Sequence, residues 1–166
     1  MSKYDEVTFE IKEHLSVLKT VNDVWTKEVN IVSWNGGPDK IDIRDWDASH
    51  ERMTRGITLF DYIAEKLAKV LTDYKNSDDK FDFKSFEPKE LKDDKVTFDV
   101  LKHIGVIEDR KDGWTKEVNI VSWNGGMAKF DIRDWDSAHE RMTRGITLEE
   151  DAAMKLGECL AERYGI

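Results

Sequence analysis

The chain repeats itself almost word for word. WTKEVNIVSWNGG runs from Trp25 to Gly37 and again from Trp114 to Gly126; DIRDWD stands at Asp42 to Asp47 and at Asp131 to Asp136; HERMTRGITL spans His50 to Leu59 and His139 to Leu148. All three pairs share one offset of about 89 residues, so the copies align without a gap and represent a duplication of one folding unit. The match reaches back to VTF at Val7 and Val96 and thins out after the last motif, where only spaced residues agree, such as Leu67 with Leu156 and Leu71 with Leu160. Two copies are too few for a solenoid, and 166 residues suffice for two small domains.

Each copy opens with strand signals. Val7, Phe9 and Ile11 alternate with Thr8, Glu10 and Lys12, as Val96, Phe98 and Val100 do later, which predicts a strand with one buried face. Val29 to Trp34 is rich in β-branched residues and ends in Asn35-Gly36-Gly37-Pro38, a hairpin turn. In the return strand Ile41 and Ile43 point one way while Asp42, Arg44 and Trp46 point the other, and a fourth short strand is predicted around Met53 to Ile57. Thr58 before Asp61, and Thr147 before Glu150, sit where a hydroxyl can cap a helix. Leu59, Ile63, Leu67, Val70, Leu71 and Tyr74 then form one apolar stripe, with Leu148, Ala152, Leu156 and Leu160 as its counterpart. A four-stranded sheet with one helix buries little by itself, so the copies are expected to pack through their helices as a pseudo-twofold unit of α+β class. The domains are accordingly residues 1–75 and 95–166, joined by 76–94, a stretch dense in Asp, Lys and Glu whose Phe81, Phe83 and Phe86 predict a linker lying on the body.

A formal net charge of -9 and a pI near 5.0 argue against a protein that coats duplex DNA through a broad basic face. No apolar run reaches the ~18–20 residues of a membrane span. The first ten residues lack the features of a secretory signal, and Cys159, the single cysteine, excludes an internal disulfide; both lead to the expectation of an intracellular address.

All six tryptophans, Trp25, Trp34, Trp46, Trp114, Trp123 and Trp135, fall in the repeats. If Ile41 and Ile43 are core, Trp46 beside Arg44 lies on the outer face, as Trp135 does beside Arg133, and an exposed indole next to a guanidinium is what a base-stacking platform requires. Trp34 and Trp123 would extend it; the competing role for these rings is to cover a small core. Lys27, Lys40, Arg44, Arg52 and Arg55, matched by Lys116, Lys129, Arg133, Arg141 and Arg144, can contact phosphates or pair with the neighbouring Glu28, Asp45, Asp47 and Glu51. Asp42, Asp45, Asp47, His50 and Glu51 do not form a catalytic or metal-ligating set: alternation sends the carboxylates to different faces, His50 lacks the second His of a helical zinc motif, and arginines interleave the acids. With no Gly-rich phosphate loop and no serine elbow, neither enzyme activity, cofactor nor metal is expected.

The ordered series V-N-I-V-S-W-N-G, I-D-I-R-D-W and R-G-I-T-L before a helix resembles the positive cofactor 4 family of single-stranded-DNA-binding transcriptional coactivators, in particular its small bacterial members. The resemblance implies a curved four-stranded antiparallel sheet plus a C-terminal helix, paired twofold, with grooves for single strands. It places the binding aromatics at Trp34, Trp46, Trp123 and Trp135 and the binding cations at Arg44, Arg55, Arg133 and Arg144, with Lys27, Lys40, Lys116 and Lys129 as further positions. The implied partner is single-stranded DNA, or single-stranded RNA; no membrane partner is expected, and further self-association is compatible with it. A protein-interaction module using the same aromatic face is the alternative, and a sugar-binding face a more distant one.

Overall fold

A computed structural model describes residues 7–90 and 95–166; residues 1–6 of the first copy and 91–94 of the predicted linker lie outside the described residues. The first copy builds β1 (Phe9–Thr20), β2 (Trp25–Trp34), β3 (Asp39–Asp47), β4 (Ile57–Leu59) and α1 (Asp61–Asn76). The second builds β5 (Phe98–Asp109), β6 (Thr115–Trp123), β7 (Ala128–Trp135), β8 (Ile146–Leu148) and α2 (Glu150–Tyr164). Each set of four strands forms one antiparallel sheet in chain order, β1-β2-β3-β4 and β5-β6-β7-β8, as the α+β assignment with two copies requires. By compactness the chain divides into Met1–Ala64 and Glu65–Ile166, a boundary inside α1.

Alternation decides which face of each sheet becomes core. Val29 pairs with Ile43, Ile31 with Ile41, Ile41 with Leu59 and Ile43 with Ile57, and all of these are buried. Val118, Ile120, Phe130, Ile132, Ile146 and Leu148 repeat the arrangement in the second sheet. The hairpin turns carry Asn35 and Gly36 at φ 53° and 70°, and Asn124 and Gly125 at 52° and 70°, the positive values that a two-residue hairpin turn demands and that Asn and Gly tolerate. β1 and β5 each shift register three times against their partners, for β1 between Ile11 and Glu13, His14 and Ser16, and Val17 and Lys19. Each shift inserts a bulge, and bulges bend and coil a strand. The long first strand therefore curves, and its sheet with it.

The predicted stripe of α1 is buried at Ile63, Leu67, Leu71 and Tyr74, and that of α2 at Ala152, Leu156 and Leu160. Within the second unit the two helices touch where Gly157 meets Leu71: a Cβ on Gly157 would lie 3.0 Å from the Leu71 Cβ. The described part of the linker packs on the second unit. Phe83 stacks on Phe130 at 5.8 Å, Phe81 packs against Phe83 and Phe86, Lys102 pairs with Asp79 at 2.8 Å, and the Lys89 N–H donates to the Gly125 carbonyl at 2.7 Å.

Two local expectations need correction. The fourth strand is Ile57–Leu59, later than predicted, and Met53 contributes only a single bridge to Trp46. Thr58 and Thr147 are strand residues opposite Asp42 and Asp131, not helix caps; the N-cap of α2 is Glu149, which makes no side-chain cap hydrogen bond.

Candidate nucleic-acid interface

The sheet face turned away from the isoleucines holds the chemistry. In the first unit it carries Thr26, Glu28, Asn30, Val32 and Trp34 from β2 and Lys40, Asp42, Arg44 and Trp46 from β3; Thr26 lies opposite Trp46, Glu28 opposite Arg44, Asn30 opposite Asp42 and Val32 opposite Lys40, while Trp34 pairs with Phe9. Phe9 and Ile11 of β1 lie on this face, so their alternation reports the polar trough and not the helix-side core.

Trp46 and Trp135 are where sequence reasoning fails. Both occupy the expected face, yet both are 0% exposed. Trp46 is covered by Phe9 at 5.0 Å, by the near-parallel ring of Trp34 at 6.5 Å and by His50 at 5.8 Å; Trp135 is covered by Phe98 at 5.1 Å and His139 at 5.7 Å. They form the floor of the trough and offer no open ring for stacking. Their Nε1 atoms find no acceptor among the described residues.

The rings that do reach solvent are Trp34 and Trp123, each half-buried. Trp34 Nε1 donates to Asp42 Oδ2 at 3.1 Å, and Trp123 Nε1 to Asp131 Oδ2 at 3.0 Å. The Arg44 guanidinium lies 4.5 Å from the Trp34 ring centroid and that of Arg133 lies 4.4 Å from Trp123, within cation–π reach. Arg44 also grips Asp42 with two parallel donors, Nε to Oδ1 at 2.7 Å and Nη2 to Oδ2 at 2.8 Å, while Nη1 donates to the Thr54 carbonyl at 3.2 Å. A guanidinium has five N–H groups, so two remain for a ligand. Burial pushes the Asp42 carboxyl upward from its ordinary 3.8, more than the hydrogen bonds from Arg44 and Trp34 and the charge of Arg44 pull it down; Asp131 behaves alike.

Beside this pair the second unit has a hollow of about 330 Å³ lined by Trp123, Lys129, Arg133, Gly126, Met127 and Thr147. It gathers three of the residues singled out from sequence. Arg55 and Arg144 are exposed and make no ion pair with a described residue. Lys27 and Lys116 are placed differently. They share the isoleucine face by alternation and are tied to Asp45 and Asp134 at 2.7 Å, the surface-pairing role. Trp25 and Trp114 are half-buried beneath Arg52 and Arg141, at 5.6 and 5.7 Å, and those arginines pair with Asp47 and Asp136.

Sequence reasoning missed a polar network on the trough floor. Glu28 is 3% exposed, and its carboxylate accepts from Thr26 Oγ1, from Asn30 Nδ2 at 3.2 Å and from His50 Nε2 at 2.9 Å. His14 Nδ1 lies 2.7 Å from Asn30 Oδ1. His50 reaches Glu28 from a left-handed backbone, φ 57°, a conformation His tolerates better than most residues. Burial raises the Glu28 pKa, but the hydrogen bonds from Thr26, His50 and Asn30 and the charge of His50 together hold it below the ordinary 4.5. Glu117 sits in the equivalent network of the second unit, with Thr115, Asn119 and His139, and around it Val100, His103, Val106, Thr115, Asn119 and His139 line an open groove of about 530 Å³. The signal was available: His14 and His103 stand at the repeat offset although they lie outside the longest identical motifs. Among the described residues no group of three or more His, Cys, Asp or Glu is placed to hold a metal ion.

Each copy thus carries a four-stranded antiparallel sheet followed by a helix, with aromatic and cationic side chains gathered on the sheet face away from the isoleucines. The family model described as Transcriptional Coactivator p15 (PC4) matches residues 110–158, which lie in the second copy. The first copy repeats its motif series. An uncharacterized protein of Treponema pallidum (strain Nichols) is 36% identical over 55 residues, which is 33% of this chain; the chain covers 65% of that relative's length. No helix among the described residues is long and apolar enough to cross a membrane.

Proposed function

We propose that this protein binds single-stranded DNA, and single-stranded RNA by the same surface, largely without regard to sequence, and that it acts inside the cell as a non-enzymatic, coactivator-like factor in transcription or in handling unpaired strands. Residues 1–75 and 95–166 are the two binding repeats, and 76–94 joins them, so that one chain supplies what two subunits would otherwise contribute. The observation that carries this reading is the hollow where Trp123, Arg133 and Lys129 meet, with the same residue types at Trp34, Arg44 and Lys40. Bases stack on aromatic rings and on guanidinium planes alike, at ~1–3 kcal/mol per base on rings, while the remaining Arg N–H groups, Lys40, Lys129, Arg55 and Arg144 contact phosphates. Trp46 and Trp135 support these rings from below, and Lys27 and Lys116 take no part.

The test is a titration with a dT oligonucleotide at low and high salt, followed by tryptophan fluorescence. Quenching that weakens with salt and exceeds that given by duplex is expected. No response at low salt overturns the proposal in favour of a protein-interaction module.

A further inference from the structure

The copies part company at the head of the helix. Phe60 and Tyr62 in the first copy are replaced by Glu149 and Asp151 in the second. Phe60 is 44% exposed and Tyr62 66%, their rings are parallel within 11° with centroids 6.0 Å apart, and Lys40 Nζ lies 4.5 Å from the Phe60 centroid. Two large rings displayed together in water, one of them under an ammonium group, are not explained by packing.

Their position continues the trough. Lys40, Asp42 and Arg44 alternate along one face of β3, and Thr58, opposite Asp42, leads two residues later to Phe60. Asp42 in turn receives the Trp34 indole N–H. From Arg44 and Trp34 the surface thus runs through Lys40 to Phe60 and Tyr62, alternating cation and ring. At the second copy's corresponding end Lys129 is followed by Glu149, Glu150 and Asp151, whose charge opposes a phosphate chain.

We infer that Phe60 and Tyr62 form an additional stacking site for unpaired bases, present in the first copy alone, which makes the first copy the stronger half of the protein. Lys40 over Phe60, with Arg44 further along the same face of β3, favours a polyanionic strand over an apolar protein surface. This inference rests on the strand-binding function proposed above.

The full-length chain tests it by fluorescence anisotropy with labelled dT oligonucleotides. F60E/Y62D installs residues that the same helix start accommodates in the second copy, and F60A/Y62A removes the rings without adding charge. Both rings are exposed, so an unchanged melting temperature is expected of either variant. The expected result is dT binding weakened about tenfold in F60A/Y62A and more in F60E/Y62D, with E149F/D151Y binding more tightly than wild type. If wild type binds dT and F60A/Y62A binds equally well, the extra site is refuted while the strand-binding reading survives, even if F60E/Y62D is weaker through charge alone. If wild type does not bind dT, the strand-binding reading fails first.

Discussion

Trp46 sets apart the face on which a side chain starts and the depth at which it ends. Truncating so large a buried ring leaves a cavity, and Trp46→Ala should cost about 3–5 kcal/mol, read as a lowered denaturant midpoint. Trp46→Phe should cost clearly less, because the indole N–H it removes has no acceptor among the described residues. Trp34→Ala, by contrast, should weaken strand binding more than it lowers stability. Glu28 and Glu117 govern acid behaviour at the same scale. A carboxyl held low in the folded chain stabilises it at pH values above the unfolded pKa, and that contribution disappears as pH falls through the folded pKa. Stability should therefore decline as pH drops below 4.5, and E28Q/E117Q should show a shallower decline in urea midpoints across the acid range. The decline persists in part, since backbone N–H groups hold Asp47 and Asp136 low as well. Asp42 and Asp131 act with opposite sign: raised from 3.8, they make acidification favour the folded chain between the raised value and 3.8.

The short strands β4 and β8 depend on glycine. A Cβ on Gly56 would lie 2.2 Å from the Ile43 carbonyl oxygen, and one on Gly145 would lie 2.1 Å from that of Ile132. Backbone cannot yield as a flexible side chain can, so Gly56→Ala should destabilise by about 1–3 kcal/mol and loosen protection of the Ile57–Leu59 amides from hydrogen exchange. This element also marks the limit of what was legible in advance. The alternation of Ile41 and Ile43 with Asp42 and Arg44 assigned the two faces of β3 correctly, because period-two patterning is local. It said nothing of curvature, which arises from three bulges in β1 and lets Phe9, Trp34 and His50 close over Trp46. Thr58 could be read as a cap since a hydroxyl before an acidic turn looks the same in sequence whether it ends a strand or starts a helix. The Glu28 network escaped because its partners come from β1, β2 and the loop holding His50, which only the folded sheet brings together.

An overall charge of -9 is compatible with the proposed strand-binding surface because the acids nearest the trough are buried and committed: Asp42 to Arg44 and Trp34, Glu28 to Thr26, Asn30 and His50. Arg55 and Arg144 make no ion pair with a described residue. Removing both in R55A/R144A should weaken binding to all single-stranded sequences alike and lower the salt dependence of log K by ~0.7 for each lost phosphate contact. Stability should change little, as neither residue is buried.

The hydrogen bond from Lys89 to Gly125 gives the duplicated hairpins unequal lives. Gly125 is buried where its counterpart Gly36 is exposed, and among the described residues only the tip that carries Trp123 is hydrogen-bonded to the connecting segment. The anchored tip should therefore exchange its turn amides with solvent more slowly than its counterpart.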